Sequence, residues 1–167
     1  GSCHIHLEKF DHFETNEILE YIKEGRDDRI FAIAELIRRE IDLQTIFDLT
    51  KITLFFLEKI KNIVDFEKIL KQNPMDLKIL KQAKQMGFSD KYIAKLWDKK
   101  DCDIYLFRKE NKIYPAYRMI NTCPIECERY VPYFYSTYNG ENYLGKAPEK
   151  EEKKKIIVLG SGPIRIG

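Results

Sequence analysis

Thr53-Leu54-Phe55-Phe56-Leu57-Glu58-Lys59-Ile60-Lys61-Asn62-Ile63-Val64 is the stretch that decides the fold. Phe56, Leu57, Ile60, Ile63 and Val64 recur at helical spacing, which gives one apolar side and one charged side. Thr53 suits the N-cap. The pattern carries on to Leu70, and Asn73-Pro74 ends it, because proline offers no amide proton and crowds the turn before it. This is the longest helix the sequence predicts.

Shorter helices flank it on both sides. Thr15-Asn16 predicts the start of a turn carrying Ile18, Leu19 and Ile22, stopped by Gly25. Asp27-Asp28 place carboxylates ahead of Ile30, Phe31, Ala34, Leu36 and Ile37, where negative charge favours a helix start. Asp42 introduces Leu43, Ile46 and Phe47. Downstream, Asp76 caps Leu77, Leu80 and Ala83, and Gly87 takes the left-handed position after them. Ser89 caps Tyr92, Ile93, Leu96 and Trp97. Asp101 or Cys102 opens a last helix holding Ile104, Tyr105, Phe107 and Arg108, with Asn111 as its stop. Each of these flanking segments is too short to be stable alone in water, so their apolar stripes must pack on one another as core. The fold class predicted is mainly α, a compact bundle of short helices.

Past Ile113 the helical period is lost. Residues 114–143 are rich in Tyr, Pro and Thr, and Tyr130, Tyr133, Tyr135 and Tyr138 predict extended, partly buried chain with hydroxyls reaching polar partners. Residues 146–155 are charged, contain Pro148, and read as a solvated linker. Ile156-Ile157-Val158-Leu159 then predicts one terminal β-strand of the buried parallel kind, running into Gly160-Ser161-Gly162. A single such strand leaves its backbone groups and both faces without cover, so it is expected to belong to a following domain. The expected division is Gly1-Ser2 as a cloning remnant, 3–14 as an N-terminal tail, 15–112 as the helical domain, 113–150 as an irregular Tyr/Pro-rich connector, and 151–167 as the start of the next unit.

Composition narrows the function. The chain has 167 residues, of which 44% are hydrophobic and 34% charged, with a formal net charge of +2. A balance so near neutral gives no electrostatic argument for nucleic acid or an anionic membrane, and no apolar run approaches the roughly 20 residues of a membrane span. The cysteines, Cys3, Cys102, Cys123 and Cys127, are scattered and lack the paired spacing of a zinc site, which predicts free thiols in a reducing, cytoplasmic compartment. Cys3, His4 and His6 could clasp a metal only at a terminus expected to fray; no metal site is predicted.

No nucleophile and base fall together. The three histidines, His4, His6 and His12, all lie in the first dozen residues, and most carboxylates sit at helix caps or beside lysines. No catalytic residue is predicted. Gly160 to Gly167 is the one glycine-rich loop. It departs from the dinucleotide fingerprint, because the third glycine falls two places late, and it lacks the Lys-Ser/Thr pair of a P-loop. Two rival readings follow from local pattern. The two helices within residues 87–115 have the proportions of a helix-turn-helix nucleic-acid-binding module, although the second opens with Asp101 and Asp103, which would repel phosphates. A small free-standing enzyme could use the glycine turn for a nucleotide, but that chemistry calls for a helix N-terminus after it.

Several stretches, in order, resemble the central region of carbamoyl-phosphate synthetase large subunits. They are residues 29–35 (RIFAIAE), 46–52 (IFDLTKI), Phe56-Leu57 with Ile60, Met86-Gly87-Phe88-Ser89-Asp90 with Ile93-Ala94-Lys95-Leu96, Tyr117-Arg118 with Asn121-Thr122-Cys123, residues 133–138 (YFYSTY), and Ile157-Val158-Leu159-Gly160-Ser161-Gly162-Pro163 with Arg165-Ile166-Gly167. The tyrosine block followed by the strand and glycine turn is the most specific part. The chain departs from the family pattern at Pro124-Ile125-Glu126-Cys127-Glu128 and at Ile164.

The resemblance implies the helical oligomerisation domain that lies between two ATP-using synthetic halves, with Gly160, Gly162 and Gly167 in the glycine turn of the second half, whose ATP-grasp module lies beyond. It implies a parent ligase making carbamoyl phosphate from bicarbonate, glutamine-derived ammonia and ATP with Mg2+ or Mn2+, feeding arginine or pyrimidine synthesis. The helical piece itself is expected to be inactive and to bind no cofactor. Its implied partners are a second copy, the two synthetic halves and the glutaminase subunit or domain.

Overall fold

Three helix starts follow directly from side chains able to accept from backbone amides. Asp42 Oδ2 accepts from the Gln44 amide at 3.0 Å, Asp76 Oδ1 from those of Lys78 and Ile79 at 2.8 and 2.9 Å, and Ser89 Oγ from that of Tyr92 at 3.1 Å. Each satisfies donors that a first helical turn leaves without an intrahelical acceptor. The structure, a computed structural model, describes residues 4–121, 132–143, 154 and 156. Its helices are α1 (Thr15–Tyr21), α2 (Arg29–Arg38), α3 (Leu43–Thr50), α4 (Leu54–Gln72), α5 (Leu77–Gln85), α6 (Asp90–Trp97) and α7 (Asp101–Glu110). They are followed by two strands, β1 (Ala116–Asn121) and β2 (Pro132–Thr137). The mainly helical bundle is as the residue pattern predicts.

Helix ends are equally local. Gly87 has φ +91°; its amide donates to the Lys84 carbonyl and that of Phe88 to the Ala83 carbonyl, the paired bonds of a Schellman stop. Lys112, at φ 56°, closes α7 in the same way, with Ile113 donating to Arg108. Other caps differ from expectation. Thr15 and Asn16 lie inside α1; the start is set by Glu14, whose amide donates to Glu17 Oε2 at 2.7 Å. Asp28 occupies the N-cap of α2, yet its carboxylate turns away to Lys9 and Tyr21. Thr53 precedes α4 without a side-chain capping bond.

α4 runs along two core clusters. The first packs Ile18 of α1 and Ile22 just after it, Ile33 and Leu36 of α2, Ile46 of α3, and Leu57 and Val64 of α4. The second packs Phe66 and Leu70 against Leu80, Phe88, Ile93, Trp97 and Ile104. Residues 4–14, expected as a frayed tail, are part of the first cluster. Glu8–His12 form a short 3-10 helix that buries Phe10, and Arg39 holds it by donating to the carbonyls of Phe10 and Phe13 at 2.9 and 2.8 Å.

The tyrosine-rich stretch is more regular than predicted. β1 and β2 pair antiparallel, with Ala116 opposite Thr137 and Asn121 opposite Pro132. A lone two-stranded ribbon is marginal in water, and this one is tied to α5 by Asn139 Nδ2, which donates to the Gln85 carbonyl at 3.0 Å. The strand expected at 156–159 and the glycine turn after it lie outside the described residues, except for Ile156, which is exposed. Among the described residues no helix is long and apolar enough to cross a membrane.

Candidate functional site

Glu67 stands on the apolar stripe of α4, three residues after Val64 and three before Leu70. A carboxylate there must find partners or lose its charge. Arg38 of α2 supplies them: Nη2 lies 3.0 and 3.2 Å from the two carboxylate oxygens and Nε 3.1 Å from Oε2. Tyr92 Oη of α6 donates to Oε1 at 2.9 Å, and Arg38 Nη2 also reaches the Ile5 carbonyl at 3.2 Å. The clasp joins both core clusters and the N-terminal segment. Burial, reinforced by the Glu67 charge, pushes the Tyr92 hydroxyl well above its usual pKa. His4 lies against Tyr92 with ring centroids 4.6 Å apart; burial, then the nearby charges of Lys95 and His6, lower its pKa.

A second clasp seals the α5–α6–α7 corner. Lys84 Nζ is 2.8 Å from Asp90 Oδ1 and 2.7 Å from the Phe88 carbonyl. Arg108 donates through Nη2 and Nε to Asp90 Oδ2 at 3.0 and 3.2 Å, and through Nη1 to the Ile113 carbonyl at 3.0 Å. Burial alone would raise the Asp90 pKa, but the Lys84 and Arg108 bonds outweigh it and hold the carboxyl below its ordinary value. The aromatic ring of Tyr138 covers both cations, at 5.1 and 5.7 Å.

These networks hold groups still; they do not present them. A groove of about 360 Å3, lined in part by Ile30, Phe31, Ile63 and Phe88, has His4, Glu67 and Tyr92 as its ionisable lining. Both Glu67 oxygens are already bonded, so no acid and base face each other there with a free lone pair. His4 and His6 do not converge: their centroids are 5.9 Å apart, and His6 Nε2 turns to Asp11 Oδ1 at 2.8 Å. Glu35 comes within 4.8 Å of that pair, but Arg38 and Arg39 occupy its oxygens, which makes it a poor cation ligand. Cys102 is free and exposed. Cys3, Cys123, Cys127, Gly160, Gly162 and Gly167 lie outside the described residues.

The helix-turn-helix alternative loses one of the two cations, Arg108 and Lys109, that its second helix offers. α6 and α7 do pack as a pair, yet Arg108 is only 8% exposed and committed to Asp90. Phosphate contact requires cations on the outer face. Neither clasp was legible as a site in the sequence; the one available signal was a carboxylate at a core position, Glu67.

Taken together, a mainly helical body with its buried charges spent on joining helices is a packing module rather than a reactive centre. Residues 1–112 match the family model described as carbamoyl-phosphate synthetase large chain, oligomerisation domain, and the chain belongs to that family. The match ends at Lys112, the left-handed residue that closes α7.

Proposed function

We propose that this chain acts as the joining and self-association scaffold of a glutamine-dependent carbamoyl-phosphate synthetase, holding two ATP-using synthetic halves at a fixed separation. The family match and the two clasps support this reading, since both Glu67 and Asp90 are tied across helices by cations. α4, 19 residues long, spans about 28 Å at 1.5 Å per residue and sets the length of the scaffold. The parent ligase makes carbamoyl phosphate from bicarbonate, glutamine-derived ammonia and ATP with its divalent metal. The chemistry resides in the halves rather than here.

Two measurements test this. The purified chain is expected to show no bicarbonate-dependent ATPase activity; turnover that disappears in Gly160→Ala or Gly162→Ala would overturn the scaffold reading. Sedimentation velocity is expected to show concentration-dependent association of the chain.

A further inference from the structure

The stripe of α4 that carries Phe55, Lys59, Asn62 and Phe66 is one helical face, since these residues recur at intervals of three and four. Its far half is covered: Phe66 is buried, with its ring centroid 5.6 Å from that of Phe88. Among the described residues, nothing covers its near half. Phe55 and Phe56 are each 59% exposed and Leu54 is 38% exposed, on a helix whose opposite side buries Leu57 completely. The two rings meet edge to face with centroids 5.4 Å apart, at an interplanar angle of 76°, and Lys59 Nζ sits 5.0 Å from the Phe55 centroid. Aromatic clusters so open to water mark contact surfaces more often than idle surface.

We propose that the Leu54–Phe55–Phe56 turn at the start of α4 is the centre of a two-fold contact with a second copy of this chain. The inference rests on the self-association reading above and names its surface. Charge supports a second copy as the occupant. Glu58 and Lys59 flank the Phe55 line side by side, both exposed, so the patch carries both signs and is complementary to itself. An isologous contact requires that of a single surface, and a strongly one-signed patch would repel its own image. Area agrees as well. Two phenylalanines and a leucine at these exposures offer about 300 Å2 of apolar surface per copy. A symmetric contact through the aromatic centre therefore covers about 600 Å2, half of the roughly 1,200 Å2 at the lower end of stable interfaces, which fits the centre of a larger contact.

The test is sedimentation velocity on the full chain and on Phe55→Ser/Phe56→Ser over a concentration series. The double variant is expected to keep the wild-type far-ultraviolet spectrum and melting midpoint while its dissociation constant rises at least about tenfold. Glu58→Lys and Lys59→Glu are each expected to weaken association severalfold, and combining them should restore it, because the swapped charges again face opposite signs. Association that is unchanged in the phenylalanine variant and in both charge variants would overturn this surface while leaving self-association standing. A wild-type chain that remains monomeric up to roughly millimolar concentration would overturn the self-association reading itself.

Discussion

The two core clusters share α4 and differ in chemistry. Around Ile33, Leu36, Ile46 and Leu57 the interior is aliphatic and aromatic, and its charged neighbours Arg38 and Arg39 stay partly in water. Around Leu70, Leu80, Ile93 and Ile104 the interior is bordered by three buried charges, Glu67, Lys84 and Arg108, and by the polar ends of Tyr92 and Trp97. The first cluster needs apolar volume of about the right size and shape, which many substitutions preserve. The second also needs each buried polar atom to meet its partner, which far fewer do. The same bundle thus contains one tolerant half and one exacting half.

That contrast can be tested in three ways. The largest effect is expected from Trp97→Ala. Trp97 is 4% exposed and donates through Nε1 to the Leu70 carbonyl at 2.7 Å. Its removal should cost about 3–5 kcal/mol in urea denaturation, and the loss should appear in amide exchange around α6 before α2. A uniform loss across both halves would mean that they open as a single unit.

Glu67→Ala is expected to come next, at about 2–4 kcal/mol, because it strands the Arg38 guanidinium and the Tyr92 hydroxyl together. An aliphatic truncation in the other cluster, Leu36→Ala, serves as the control with a loss of the same order, about 2–5 kcal/mol. The two variants should differ in rescue. Adding Arg38→Met to Glu67→Ala should recover part of the loss, since no charge is then left unpaired. A double variant no more stable than the single one would show that packing, rather than pairing, governs the clasp.

The smallest expected effect is the pH dependence that Asp90 contributes to the second cluster. The Lys84 and Arg108 bonds keep the folded pKa of Asp90 below the ordinary 3.8. Their stabilisation is therefore present above that pH and is lost as pH falls through the lower folded value. The stability difference between the wild type and Asp90→Asn should be constant near neutrality and shrink as pH falls below the ordinary 3.8. The difference between wild type and Leu36→Ala should not follow pH in this way. Equal pH profiles for the two variants would erase the contrast.

Much of the fold could be read locally. The apolar spacing of Leu57, Ile60 and Val64, the capping carboxylates of Asp42 and Asp76, and the glycine at 87 each act within four or five residues, so neighbouring positions carry the whole signal. Misreadings arose where another partner competed. Asp28 had the right chemistry for a cap, but Lys9 and Tyr21 offered a stronger set of bonds. Glu14, a less usual starter, took the role expected of Thr15 because Glu17 lay one turn ahead. Phe10 looked like part of a tail until α1 and α2 folded over it.

Helix number, helix type, the Asp42, Asp76 and Ser89 caps and the family resemblance were thus contained in the order of residues, because hydrophobic period and hydrogen bonding to the nearest backbone are short-range. The pairing of Arg38 with Glu67 across 29 positions, the locking of Arg108 away from any outer face, and the baring of Phe55 while Phe66 is covered belong to the folded molecule alone. Helical spacing assigns a side chain to a face, but only the neighbour that arrives from elsewhere in the chain decides whether that face is wet or dry.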